Sequence, residues 1–275
     1  GRSGVERFAT GMGEVDRVLG GGLPAGGAIV LGGAPGIGKS TLLAQCAAAI
    51  ADTAPVLYVS AEESAEQIAD RCTRLGLQLG GHFQLAIAND TDRIAASIAG
   101  GAYRCVIVDS IQMLSGGEAD GVAGSPTQVR SCAKQLVSAA KEAGCALIIV
   151  GHVTKDGQLA GPRLLEHLVD TVLAFEGDHY QDLRCLRVIK NRFGSSEELG
   201  LLRMGPEGLA EVPDAAACFI ADRQQAVSGS CIAPVLDGRR CLLVEVQALV
   251  NPTEAPNPLR RVSGCVTNRV TMICA

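Results

Sequence analysis

No run of eighteen apolar residues occurs in the 275-residue sequence, so a membrane-spanning helix has no support. The opening residues, GRSGVERFATG, lack the basic and apolar regions of a secretory signal, and a cytoplasmic location is expected. Eleven cysteines are present but no Cys-x-x-Cys pair, which removes the ligand spacing of a zinc site or a dithiol redox centre. They fall singly, mostly in apolar runs such as RCVIVDS around Cys105 and CALIIV from Cys145, where a reduced thiol serves as a small hydrophobe. Tryptophan is absent and aromatics make up 3%. An excess of positive charge is also missing. The net charge of −5 argues against wholesale coating of nucleic acid, although a local basic surface in a ring or filament is compatible with it.

What is present is an α/β pattern. At 47% hydrophobic and 19% charged, the chain can bury one large core with some material left over. The apolar run AIVLGG leads into GGAPGIGKSTLLAQCAAAI, where Gly33, Gly38, Lys39 and Ser40 match the phosphate-loop spacing. Such a loop turns backbone N–H groups inward, and glycines let it curl without Cβ clashes. Gly33, Ala34, Pro35, Gly36, Ile37 and Gly38, with Lys39, Ser40 and Thr41 opening the next helix, are therefore expected to bind a nucleoside triphosphate. Lys39 would meet the β- and γ-phosphates and Ser40 would hold Mg²⁺. A second oxygen ligand for Mg²⁺ is expected at Asp109, which ends the buried strand of Val106, Ile107 and Val108. VLYVSAEES ends another strand in Glu62 and Glu63. Glu62 is the expected base for the attacking water, while Glu63 belongs to the entry of the next helix.

Strands are expected at 28–32, 56–60, 104–108 and 145–150, alternating with helices near 40–50, 64–75, 91–99 and 125–143. The last helix carries Ser125 as its cap, Pro126 in its first turn, Gln128 to complete a capping box, and Gly144 as its stop. After residue 170, TVLAFEG, LRCLRVIK, LGLLRM and GLAEV read as short strands added antiparallel to the same sheet. His152, closing the fourth strand, suits a γ-phosphate sensor or a core histidine held by a backbone group. TKDGQLAGPR offers Lys155 and Arg163 in a polar loop that either touches nucleic-acid phosphates or is a solvated connector. SGGEADGVAGSPTQVR, ending at Arg130, is a second such loop. Neither contains an aromatic, which favours backbone contact over base stacking. His167 and His179, with Asp170 or Asp178, are too loosely spaced for a metal site and read as structural.

KNRFG, residues 190–194, sets Lys190 and Arg192 two apart at the end of an apolar run, either as surface charges or as cations aimed at phosphate. On a strand the two would share a face, with Asn191 pointing away. Taken together, ERFATGMGEVDRVLGGGLPAGGAIVLGGAPGIGKSTLL, LYVSAEES, VIVDSIQ, GHVTKDGQLAGPRLLEHLVDTVLAFEGD and KNRFGSSEELG resemble the bacterial RadA (Sms) family of RecA-like ATPases from about residue 7 to 250. The resemblance implies a RecA-like P-loop core with a mostly parallel sheet flanked by helices. It also implies hexameric rings, and ATP-driven branch migration on single-stranded DNA and recombination intermediates, with a RecA-type recombinase as a further partner. It places Lys190 and Arg192 at the γ-phosphate of a neighbouring subunit. Residues 1–221 would form the ATPase domain. GSCIAPVLDGRRCLLVEVQALVNPT resembles the start of a Lon-protease-like domain, so residues 222–275 would be its incomplete opening, without the region of Lon's catalytic serine and lysine. The family's four-cysteine zinc module has no counterpart in this sequence, and no zinc is expected. The competing reading is a RecA-like regulatory or assembly ATPase with protein clients and no DNA motor activity.

Overall fold

The computed structural model describes residues 5–116, 123–152, 164–177, 182–212, 214, 216–220, 228–254 and 260–273. A short ribbon of β1 (Arg7–Phe8) and β2 (Leu23–Pro24) encloses helix α1 (Gly13–Val18) and precedes a nine-stranded sheet. Six strands of that sheet run parallel: β3 (Ala28–Gly33), β4 (Val56–Ser60), β5 (Phe83–Ile87), β6 (Cys105–Asp109), β7 (Ala146–His152) and β8 (Thr171–Gly177). Three more, β9 (Leu183–Asn191), β10 (Leu199–Gly205) and β11 (Gly208–Glu211), extend it antiparallel, giving the order β11-β10-β9-β8-β3-β7-β6-β4-β5.

The four expected strands and four expected helices are all present. The helices are α2 (Lys39–Ala51), α3 (Ala65–Arg74), α4 (Thr91–Gly100) and α5 (Pro126–Ala143). Strand alternation divides the core in two. Ile29 and Leu31 face α1 and α2, whereas Ala28 and Val30 face α4 and α5. Cys46, Cys72, Cys105, Cys132 and Cys145 all lie in these two clusters, and burial lifts the Cys46 thiol to about 12 and the Cys145 thiol to about 11. They are packing residues at neutral pH.

Three expectations need correction. TVLAFEG is not antiparallel: β8 runs parallel to β3, and only the strands after it reverse. Its first five residues are all buried, as a strand covered on both faces requires. β5 was not expected, because FQLAI lies at the sheet edge with a mixed burial pattern rather than a continuous apolar run. Ser125 does cap α5, accepting the Gln128 N–H at 3.3 Å, but Gln128 does not return the bond. Its buried side chain donates instead to the Gly116 carbonyl and to Cys132 Sγ. A reciprocal capping box occurs on α3, between Ser64 and Gln67.

The C-terminal hairpin, β12 (Ser230–Asp237) with β13 (Arg240–Gln247), is folded and held on the core. Arg240 enters a mostly buried ion pair with Glu14 of α1, and Leu242 joins Leu199, Leu201 and Val212. No helix among the described residues is long and apolar enough to cross a membrane.

Candidate active site

The carboxyl ends of β4, β6, β7 and β3 lie side by side in the sheet, and each carries a residue singled out by the sequence. β3 ends in Gly33, where an added Cβ would stand 2.6 Å from the Phe175 carbonyl, so the strand can leave the sheet there only without a side chain. Gly36 and Gly38 have φ of 73° and 111°, the left-handed region that lets the loop curl back before α2 begins at Lys39. Lys39 is 3% exposed, and its Nζ donates to the Gly33 carbonyl at 2.8 Å and the Ala34 carbonyl at 2.9 Å. Burial pulls its pKa down, and the carboxylates of Asp109 and Glu62 oppose the shift. From β9, Arg184 donates through Nε to the Ile37 carbonyl at 3.0 Å and pins the loop from the other side.

Asp109 is 5% exposed at the end of β6. Burial raises its pKa, against hydrogen bonds from the Ser40 and Tyr58 hydroxyls. The Tyr58 hydroxyl donates to Asp109 Oδ2 at 3.0 Å from the neighbouring strand β4. Ser40 and Asp109 thus put a hydroxyl and a carboxylate together, an all-oxygen donor set of the kind that fits Mg²⁺.

Glu62, just past β4, meets two partners. The Ser110 hydroxyl donates to Oε1, and His152 Nε2 lies 2.9 Å from the same oxygen. The His152 hydrogen bond is the largest cause of its lowered pKa, with Ser110 assisting and burial opposing, so the group is anionic at neutral pH. His152 is therefore bonded to the expected base rather than to a backbone group, and its buried Nδ1 has no partner among the described residues. Glu63 turns the other way, pairing with Arg71 of α3, as its expected place at the helix entry requires.

KNRFG lies at the opposite edge of the sheet. Arg192 N–H donates to the Asp170 carbonyl at 3.0 Å, at the amino end of β8, while Gly33 pairs with Phe175 at the other end. Five residues of strand separate the two levels, roughly 17 Å at about 3.3 Å per residue, further than an arginine side chain reaches. β9 ends at Asn191, so the expected alternation through residue 192 does not hold. A register shift leaves Ile189 unpaired and brings Lys190 opposite Val172. Lys190 Nζ donates to the carbonyls of Glu166 and Val169, and Arg192 Nη1 stands 3.3 Å from Asp170 Oδ1. Asn191 does not simply point away: its Oδ1 accepts the Phe193 N–H at 3.0 Å and its Nδ2 donates to the Ser195 carbonyl at 3.4 Å, shaping the turn.

Arg130 is exposed at the start of α5. Lys155 and Arg163, with the whole of TKDGQLAGPR and residues 117–122 of the other polar loop, lie outside the described residues, as do Asp178 and His179. Tyr58, Ser110 and Arg184 were missed by sequence reading. Tyr58, a phenol amid the aliphatic residues of β4, carried the one signal that could have found it.

The family model described as AAA domain matches residues 5–158. Over 98% of its length the chain is similar to proteins named DNA repair protein RadA, at 45% identity in Halalkalibacterium halodurans, 45% in Streptococcus pneumoniae and 46% in Pseudomonas aeruginosa. It spans 59%, 64% and 60% of the length of those three relatives. Among solved structures, a KaiC-like protein of Pyrococcus horikoshii matches 76% of this chain and all of its own, with a TM-score of 0.63 at 21% identity, a likeness of fold alone. The chain belongs to the AAA domain family, and its similarity to the RadA proteins runs over 98% of its length.

Proposed function

We propose that this chain is a DNA-dependent ATPase of recombinational repair, binding ATP with Mg²⁺ and coupling hydrolysis to branch migration on single-stranded DNA and recombination intermediates. Lys39, Ser40 and the loop amides of residues 33–38 bind and orient the phosphates, and Ser40 with Asp109 would hold the metal. When bound, Mg²⁺ supplies charge neutralisation at the phosphate oxygens. Glu62, kept ionised by His152 and Ser110, accepts the proton of the attacking water. His152 joins that base to the end of β7, so a change at the γ-phosphate is felt where the Lys155 and Arg163 loop begins.

The observation that carries the reading is the separation of two half-sites on one chain. Lys39, Asp109 and Glu62 converge at the carboxyl edge, while Lys190 and Arg192 sit at the amino edge, out of reach of their own nucleotide. A neighbouring subunit in a ring, hexameric in our reading, would bring the two together. Cations supplied in trans to a transferring phosphoryl group raise turnover by roughly 10³ to 10⁵. Arg130, Lys155 and Arg163 are assigned to DNA phosphates.

ATP turnover measured with and without single-stranded DNA, at rising salt, tests the DNA assignment. Stimulation that weakens steeply with salt is expected, since each phosphate contact releases counterions. Turnover indifferent to DNA would favour instead the regulatory ATPase with protein clients.

A further inference from the structure

Asp170, immediately before β8, has a side chain only 7% exposed. Its two oxygens have different partners. Oδ2 accepts the Ala28 N–H at 3.0 Å, at the first residue of the strand that leads into the phosphate loop. Oδ1 faces Arg192 Nη1 at 3.3 Å, and the Asp170 carbonyl accepts the Arg192 N–H at 3.0 Å. Lys141 of α5 approaches the same carboxylate at 3.4 Å. Arg192 is thus gripped by one nitrogen and by its main chain, while its side chain stays 51% exposed. A guanidinium carries five N–H donors in a planar fork, so donors beyond the one bonded to Asp170 remain for a second partner.

We infer that Asp170 is the positioning residue of Arg192, holding the guanidinium from behind so that its free edge is presented to the nucleotide of a neighbouring subunit. This rests on the reading that Arg192 acts in trans. An unheld arginine would surrender its rotamer freedom on meeting a phosphate, and the carboxylate removes most of that freedom beforehand. The bond to Ala28 does not require the charge, because a neutral amide oxygen can also accept that N–H, though more weakly. The charge acts chiefly on the cations, Arg192 and Lys141.

Mixing two kinds of chain separates the possibilities. Glu62→Gln chains keep Arg192 and lack the base, whereas Arg192→Ala chains keep the base and lack the finger. Mixed, they should recover turnover that neither has alone. Asp170→Asn is then added to one kind or the other. In the Glu62→Gln chain it alters the donated finger, and recovered turnover should fall by about 10-fold or more, as displaced reacting groups lose rate. In the Arg192→Ala chain it alters only that chain's own site through Ala28, and turnover should stay within about twofold with KM for ATP unchanged. Equal recovery with and without Asp170→Asn in the donor overturns the inference, as does a loss confined to the recipient. If the two single variants fail to restore turnover on mixing, the trans reading itself falls and takes the inference with it. Asp170→Glu serves where the Asn chain does not fold: its donated turnover should drop while its own nucleotide affinity holds, and undiminished donation overturns the inference.

Discussion

Glu62 and Asp109 close neighbouring strands and are driven in opposite directions by what surrounds them. His152 and Ser110 hold Glu62 below the ordinary carboxylate range, so its protonation cannot limit turnover until the pH falls under that range. Replacing His152 with alanine removes the largest cause, and the acid limb of the pH–rate profile should move up. An unmoved limb would take the base role from Glu62. Asp109 shows the reverse. Burial lifts its pKa in the fold, so its contribution to stability is fully present below the unfolded value and is lost as pH rises through the folded one. Asp109→Asn should therefore gain on the wild type across that window and equal or exceed its thermal midpoint at neutral pH, while losing turnover; a clear loss of stability at pH 7 would contradict the sign. The phosphate-loop residues, Asp109 and Glu62 were legible because each is fixed by a local pattern of strand, turn and residue type. Tyr58, Ser110 and Arg184 were not, since their roles arise from contacts between strands far apart in sequence.

Elements were legible where caps and periodicity agree. α5 was bounded by Ser125 and Gly144, and the structure ends it on Gly144 with φ of 69°. Gln128 misled because a capping box and a buried side chain look alike in sequence, and burial won. The direction of β8 was hidden by the polar segment before it, although TVLAF, buried throughout, has the composition of a parallel strand. The hairpin of β12 and β13 depends on one side chain above others. Glu14 Oε2 accepts from both the Leu201 N–H and Arg240, so removing Arg240 leaves a mostly buried carboxylate without its cation. Arg240→Ala should lower stability by about 3 kcal/mol and speed proteolysis within residues 230–247, with nucleotide affinity unchanged. Proteolysis at the wild-type rate would show that Leu242 and its neighbours hold the hairpin alone.

At the scale of the whole molecule, the chain carries a nucleotide edge and a cationic edge facing away from each other across one sheet. Sequence spacing pointed to the nucleotide residues and the family resemblance to the cations, but only the register of β3, β8 and β9 shows that they lie at opposite ends. If Lys190 and Arg192 act on the phosphate as proposed, the site draws on a second copy of the chain. Arg192→Ala should leave ATP affinity intact and lower turnover by about 10³ or more, whereas Lys39→Ala should lose nucleotide binding itself. Undisturbed hydrolysis by the Arg192 variant would remove the finger assignment. The most direct measurement is turnover per chain against chain concentration, with single-stranded DNA present throughout. A site shared between subunits predicts a cooperative rise from near zero to a plateau; constant turnover per chain down to the lowest concentrations, with the protein monomeric, would contradict it.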